Sequence, residues 1–295
     1  NAYSFFVNYA NVDNFVPRGD AAKSPNILDR WILSRLNTLI HTVNEEMESY
    51  RLYNVVPALL TFIEQLTNTY IRFNRRHFWM DGMPEEKRLA FETLHEVLLT
   101  SAKVMAPFTP FISDTIYKNL SGVLPGQPES VHLCSYPKAR EELRDAVLEE
   151  SVARMEKLVE MGRNLREKIG VRVKIPLRTL RVIHRKDAVL QDLKRLEAYF
   201  VEELNVREVI YDTRESDHLT FSCKANFPRL GPRLGPRMKA FAAQVSKLTP
   251  DELNALEEGG SITVEGERIT SEDLEVRRTP KKADAVLASG PLISI

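Results

Sequence analysis

Cysteine is almost missing from this sequence: Cys134 and Cys223 are the only two in 295 residues, and they lie far apart. No disulfide framework and no CxxC-type zinc site can be built from them, and such sparing use fits a reducing compartment. No apolar run approaches the roughly 18 residues of a membrane span, and no signal-peptide pattern opens the chain. A membrane partner is therefore not expected, and a cytoplasmic location is. Net charge is missing as well, with 41 Lys and Arg against 41 Asp and Glu. That excludes a uniformly basic nucleic-acid coat but leaves room for a local basic face. Catalytic patterns are also lacking. The histidines at 41, 77, 95, 132, 184 and 218 show no metal spacing and no nucleophile partner, and no Walker loop or dinucleotide fingerprint occurs. No catalytic residue, metal site or cofactor is expected within these residues.

What is present is an ordinary globular balance, 43% hydrophobic and 28% charged, enough for two domains of about 150 residues each. The chain opens at Asn1, without Met and inside a helical pattern, and reads as part of something longer. Residues 1–140 carry helical spacing. Ile32, Leu36, Leu39, Ile40, Val43 and Met47 mark one helix over about 26–50, and Val56, Leu59, Leu60, Ile63, Leu66 and Tyr70 mark a second over about 54–79. Pro84 opens a third helix that stops before Pro107, and Thr109-Pro110 caps a fourth holding Ile112, Ile116 and Leu120. The expected fold is an antiparallel α-helical bundle. A small mixed α/β domain follows over 141–280. It holds a helix to Lys168, strand at 171–182, helix at 188–204, strands at 206–211 and 219–223, and a helix at 236–247. A capping box at Thr249–Glu252 and a hairpin split by Gly266 complete it. Residues 281–295 read as a flexible tail.

Three stretches carry recognition chemistry. On a single helix, Arg72, Arg75, Arg76 and Trp79 would stand at i, i+3, i+4 and i+7, with Gln65 and Asn68 extending their face and no acid among them. Three guanidiniums offer forked donors for phosphate, and an indole can stack on an unpaired base. The alternative is a solvated basic face with Trp79 tucked under a loop. A second region, Arg154 to Lys186, holds eleven Lys and Arg against three acids. Arg163 and Arg166 close its helix, and Arg172 and Lys174 alternate on the expected strand. The helix macrodipole explains Arg166 and Lys168 but not Arg172 and Lys174. The third stretch is the tandem Arg229-Leu230-Gly231-Pro232, Arg233-Leu234-Gly235-Pro236-Arg237, in an acid-free run from 219 to 250. It reads either as a loop whose Arg233 and Arg237 meet phosphate or as a structural turn. Residues 251–275 hold nine acids and one Arg, so charge is segregated along the chain.

At Asn68–Trp79 the sequence resembles the isoleucyl-tRNA synthetases of the cytosolic, eukaryotic type, which belong to class Ia. Ala106-Pro107-Phe108-Thr109-Pro110-Phe111 is similar to the end of the anticodon-binding bundle in that class. Arg172-Val173-Lys174-Ile175-Pro176-Leu177, Leu234-Gly235 and Ile262–Gly266 continue the likeness, which spans about residues 1–278. A eukaryote-like bacterial form of the family shares much of it. The resemblance implies an anticodon-binding domain that holds isoleucine tRNA, within an enzyme that joins isoleucine to tRNA using ATP and Mg²⁺. The class signatures HIGH and KMSKS occur nowhere in the sequence, so aminoacylation and editing are expected outside it. The rivals are the equivalent end of a valyl enzyme, and an assembly module whose α/β domain docks other synthetases or a second copy.

Overall fold

The computed structural model describes residues 2–124, 126–257 and 259–281. The chain divides into two compact units, 1–153 and 154–295, so the division falls after Ala153 and not at 140/141. The reason is local. Arg140 N donates to Asn37 Oδ1 at 2.8 Å, and Glu149 accepts from Ser34 Oγ at 2.5 Å, Thr38 Oγ1 at 2.8 Å and Arg35 Nη1 at 2.7 Å. These bonds tie residues 140–149 to the first unit.

The first unit is helical. Helix α1 spans Ala2–Val12, α2 Ile27–Glu48, α3 Leu52–Gln65, α4 Arg75–Phe78, α5 Glu85–Met105 and α6 Pro110–Ser121. Asn26 starts α2 by accepting from the amides of Leu28 and Asp29. Leu28, Ile32, Leu36, Ile40 and Val43 then bury one stripe of it at helical spacing. Helix α5 is the central element, touching α1, α2, α4 and α6, and its Leu94, Val97 and Val104 are fully buried. Phe78 meets Phe5 and Phe91 edge-on at 5.2 and 5.3 Å.

Several side chains face other ways than their spacing predicts. Helix α3 buries Val55, Leu59 and Phe62, and leaves Val56, Leu60 and Ile63 exposed. Of the expected stripe, Leu59, Leu66 and Tyr70 are buried as predicted; the sequence carries apolar residues on two adjacent lines one residue apart, and at Val55 and Phe62 packing selects the neighbouring line. Helix α6 buries Ser113, Tyr117 and Leu120, while Ile112 is exposed. Pro84 stands just before α5 and not inside its first turn. Thr109 does precede Pro110 at the start of α6, but its hydroxyl donates back to Met105 O and lies 3.0 Å from Ser113 Oγ.

Helix α7, Ala146–Lys168, leads into the mixed α/β unit. Strand β1, Leu177–Ile183, is followed by α8, Asp187–Arg195, and α9, Glu197–Leu204. Strand β2, Val206–Asp212, pairs parallel with β1 in register from Leu177 opposite Val206 to Ile183 opposite Asp212. The strand expected over 171–182 thus begins only at Leu177, because its partner begins at Val206. A short α10, Glu215–His218, leads to β3, Leu219–Ala225, and α11, Phe227–Leu234, is followed by α12, Met238–Val245. Helix α13, Pro250–Glu257, opens on the expected capping box, with Thr249 N and Oγ1 donating to Glu252 Oε2 and Glu252 N to Thr249 Oγ1. Strands β4, Ile262–Val264, and β5, Glu267–Ile269, form the expected hairpin over Glu265 and Gly266, both at positive φ. An unexpected strand β6, Leu274–Pro280, pairs antiparallel with β3. A second core of Leu230, Leu234, Phe241, Val245, Leu253, Leu256 and Ile269 lies among these elements. The tail expected over 281–295 lies, beyond Lys281, outside the described residues.

Candidate nucleic-acid interface

The stretch 54–79 is not one helix. After α3 the backbone widens into a π turn over Leu66–Ile71, and it leaves helical geometry at Asn74, with φ −92° and ψ 5°, before α4 begins. One extra residue in a turn rotates everything after it around the axis. Gln65 and Asn68 are therefore out of register with the basic residues that follow. Gln65 has another role: its Oε1 accepts from Arg35 Nε at 2.9 Å, beside the Arg35–Glu149 pair. Asn68 is exposed.

The break is held by a buried polar cluster. Asp29, in the first turn of α2, is 1% exposed. Its Oδ1 accepts from Tyr70 Oη at 2.8 Å and Asn74 Nδ2 at 3.2 Å, and its Oδ2 from Ser24 Oγ at 2.6 Å. Burial outweighs the lowering by these three donors and leaves this carboxyl raised to about 6. Asn26 Nδ2 donates to Asn74 Oδ1 at 3.3 Å, and His77 Nδ1 stands 3.2 Å from the same oxygen. Asn74 is fully buried, so its side chain fixes where the chain turns out of the bundle. Burial, then the neighbouring Arg76 charge, lowers the His77 pKa.

Immediately beyond that anchor, Arg75, Arg76 and Trp79 are exposed and Arg72 is half-buried. Trp79 is 54% exposed, so it is not tucked under a loop, and the Arg75 guanidinium lies 5.9 Å from its ring centroid. The result is a short basic turn with a solvent-facing indole, carried on a buried, hydrogen-bonded base. Composition gave no hint that Asp29, Tyr70 and Asn74 are its supports. An acid in a first helical turn reads as an ordinary macrodipole partner, and a tyrosine and an asparagine at helical spacing read as core and surface.

The second basic region is divided. Arg166 is 3% exposed and is not a surface cation. It spends its donors on the carbonyls of Arg172, Ile175, Leu204 and Asn205, and burial lowers its pKa. The macrodipole reading also misses this role. Arg163 is paired with Glu203. Arg172 and Lys174 are exposed, on a turn and not on a strand.

The tandem is not a loop, since Arg229-Leu230-Gly231-Pro232-Arg233-Leu234 lies within α11. Its cations meet the acidic segment that follows. Arg229 reaches Glu272 at 2.5 Å and Asp273 at 3.2 Å. Arg233 lies 3.5 Å from Glu267 and 3.6 Å from Asp273, and Arg237 lies 3.0 Å from Glu267. The charge segregation along the sequence is thus closed within the second unit. Arg233 and Arg237 already serve as links between α11, the turn after it and β5.

The sequence profile of the anticodon-binding domain of tRNA ligases matches residues 29–182, just over half of the chain. The chain belongs to this family. The matched residues include Asp29, the basic turn and the turn bearing Arg172 and Lys174, and they exclude Arg233 and Arg237. Among similar proteins, an isoleucine–tRNA ligase of Bdellovibrio bacteriovorus is 55% identical over 295 residues, taking in 100% of this chain and 28% of the relative. The cytoplasmic isoleucine–tRNA ligase of Saccharomyces cerevisiae is 37% identical over 274 residues, 90% of this chain and 26% of the relative. That of Mus musculus is 36% identical over 293 residues, 95% of this chain and 23% of the relative. The anticodon-binding chain therefore spans about a quarter of the length of the curated relatives it matches. Among the described residues, no helix is long and apolar enough to cross a membrane.

Proposed function

We propose that this chain is the tRNA-recognition part of a cytoplasmic isoleucine–tRNA ligase, with the first unit holding the anticodon stem and loop. One observation carries the reading: Arg75, Arg76 and Trp79 stand exposed together beyond a buried anchor, inside the residues that match the anticodon-binding family. Guanidiniums set register and affinity on phosphates, and an indole stacks on an unpaired base, which is how single-stranded loops of RNA are gripped. The isoleucine assignment, in preference to valine, rests on the names of relatives 36–55% identical to this chain. Joining isoleucine to tRNA with ATP and Mg²⁺ belongs to parts of such an enzyme that carry HIGH and KMSKS, which this sequence does not contain. The test is the triple substitution Arg75→Ala, Arg76→Ala and Trp79→Ala. It should weaken isoleucine-tRNA binding by about tenfold or more, from lost stacking and phosphate contacts, with the unfolding midpoint unmoved. Unchanged affinity in the folded variant refutes the assignment.

A further inference from the structure

An arginine buried without a carboxylate is costly unless its donors are fully used. Arg166 uses them on backbone alone: Nη1 donates to Arg172 O at 3.2 Å and Ile175 O at 3.0 Å, and Nη2 to Leu204 O at 2.6 Å and Asn205 O at 3.0 Å. Two of these carbonyls end α9, and the other two belong to the turn 172–175, which is closed by Ile175 N donating to Arg172 O at 3.0 Å. A third carbonyl of that turn, Val173 O, accepts from Asn205 Nδ2 at 2.8 Å. Asn205 can do this because it caps α9 in the left-handed region, at φ 47° and ψ 59°. Three carbonyls of the turn are thus drawn inward onto two side chains. All four side chains of residues 172–175 are exposed, and two of them, Arg172 and Lys174, are cationic. Gly162 permits the arrangement one helical turn earlier, since a Cβ there would come within 2.6 Å of the Leu204 side chain.

We propose that Arg166 and Asn205 are positioning residues for a second RNA-contacting element, fixing the turn 172–175 so that Arg172 and Lys174 reach tRNA phosphate together. The inference rests on the tRNA-binding reading above. A turn held this way presents its two cations without losing their freedom on binding, whereas a loose turn loses affinity for each side chain it must order.

The decisive substitution is Asn205→Gly. Glycine keeps the left-handed cap and removes only the strap to Val173. It should raise Kd for an isoleucine tRNA transcript about threefold to tenfold with the unfolding midpoint unmoved, and speed trypsin cleavage after Arg172 and Lys174. Replacing Arg172 and Lys174 by Ala should weaken binding and flatten the salt dependence by about two units of slope. In that background Asn205→Gly should cost nothing further, because it acts only through those two side chains. An equal loss in both backgrounds, or no loss in either, overturns the positioning role. Failure of the unsubstituted chain to bind tRNA overturns this inference along with the reading beneath it. Binding that is sensitive at Arg75 and Arg76 but indifferent at Asn205 overturns this inference alone.

Discussion

Replacing Asp29 by Asn tests whether the anchor beneath the basic turn has the character the structure gives it. Its carboxyl is 1% exposed, accepts from Ser24, Tyr70 and Asn74, and is pushed by burial from 3.8 to about 6. A carboxyl whose folded pKa is raised binds a proton in the folded state while the unfolded chain has already lost it, so stability falls as pH rises between the two values. A rise from 3.8 to about 6 is worth about 3 kcal/mol at about 1.4 kcal/mol per pKa unit. The loss is complete above about pH 6.5 and absent below about pH 4. Asparagine keeps an oxygen for Tyr70 and Asn74, places an amide toward Ser24, and does not titrate. The stability of the unsubstituted chain relative to Asp29→Asn should therefore drop by about 3 kcal/mol from pH 4 to pH 7. Urea unfolding followed by tryptophan emission reads this directly. Both tryptophans, Trp31 and Trp79, lie in the first unit, and Trp79→Phe leaves the buried Trp31 as sole reporter. Parallel pH profiles for the two chains would refute the buried carboxyl of raised pKa assigned to Asp29.

Other expectations concern separate parts of the molecule. Burial alone would raise the Glu149 pKa, but bonds from Ser34, Arg35 and Thr38 hold it below its ordinary value. Glu149→Ala should cost the first unit about 2–4 kcal/mol in urea unfolding, and a loss below about 0.5 kcal/mol would deny that these bonds tie residues 140–149 to it. Gly162→Ala should destabilise the second unit by about 1–3 kcal/mol, because the new methyl meets Leu204; an unshifted unfolding midpoint would show that α7 and α9 do not approach so closely. Replacing Arg233 and Arg237 by Ala should lower the stability of the second unit and leave tRNA affinity within about twofold, since both already face Glu267. A loss of affinity matching that of the Arg75 and Arg76 variant would return them to the interface.

The sequence conveyed the architecture wherever a local signal and the packing agreed. The stripe of α2 from Ile32 to Val43, the ends of α5 and α6 marked by Pro107 and Pro110, the capping box at Thr249 and the hairpin at Gly266 are where their residues imply, whereas Met47, the last member expected in the α2 stripe, is exposed. It misled where two local solutions were equally good. Val55, Leu59 and Phe62 are as apolar and as well spaced as Val56, Leu60 and Ile63, and only tertiary contact chooses between them. Residues 171–176 have the β-branched content of a strand, but the partner strand starts opposite Leu177. Strand β6 was hidden because Leu-Glu-Val-Arg-Arg-Thr-Pro carries little apolar signal without its neighbour β3. The exposed members of the candidate site, Arg75, Arg76 and Trp79, could be picked out by residue type. Their supports could not, since the break at Asn74 depends on a carboxylate 45 residues away. Nor could a buried Arg166 be told from a helix-terminal surface cation.

The most direct test of tRNA recognition by this chain is its affinity for isoleucine and valine tRNA transcripts across a salt series. Tighter binding of the isoleucine transcript is expected, with a steep fall in affinity as salt rises, if arginine and lysine make the contacts on phosphate. Weak binding that is equal for the two transcripts and insensitive to salt would contradict it.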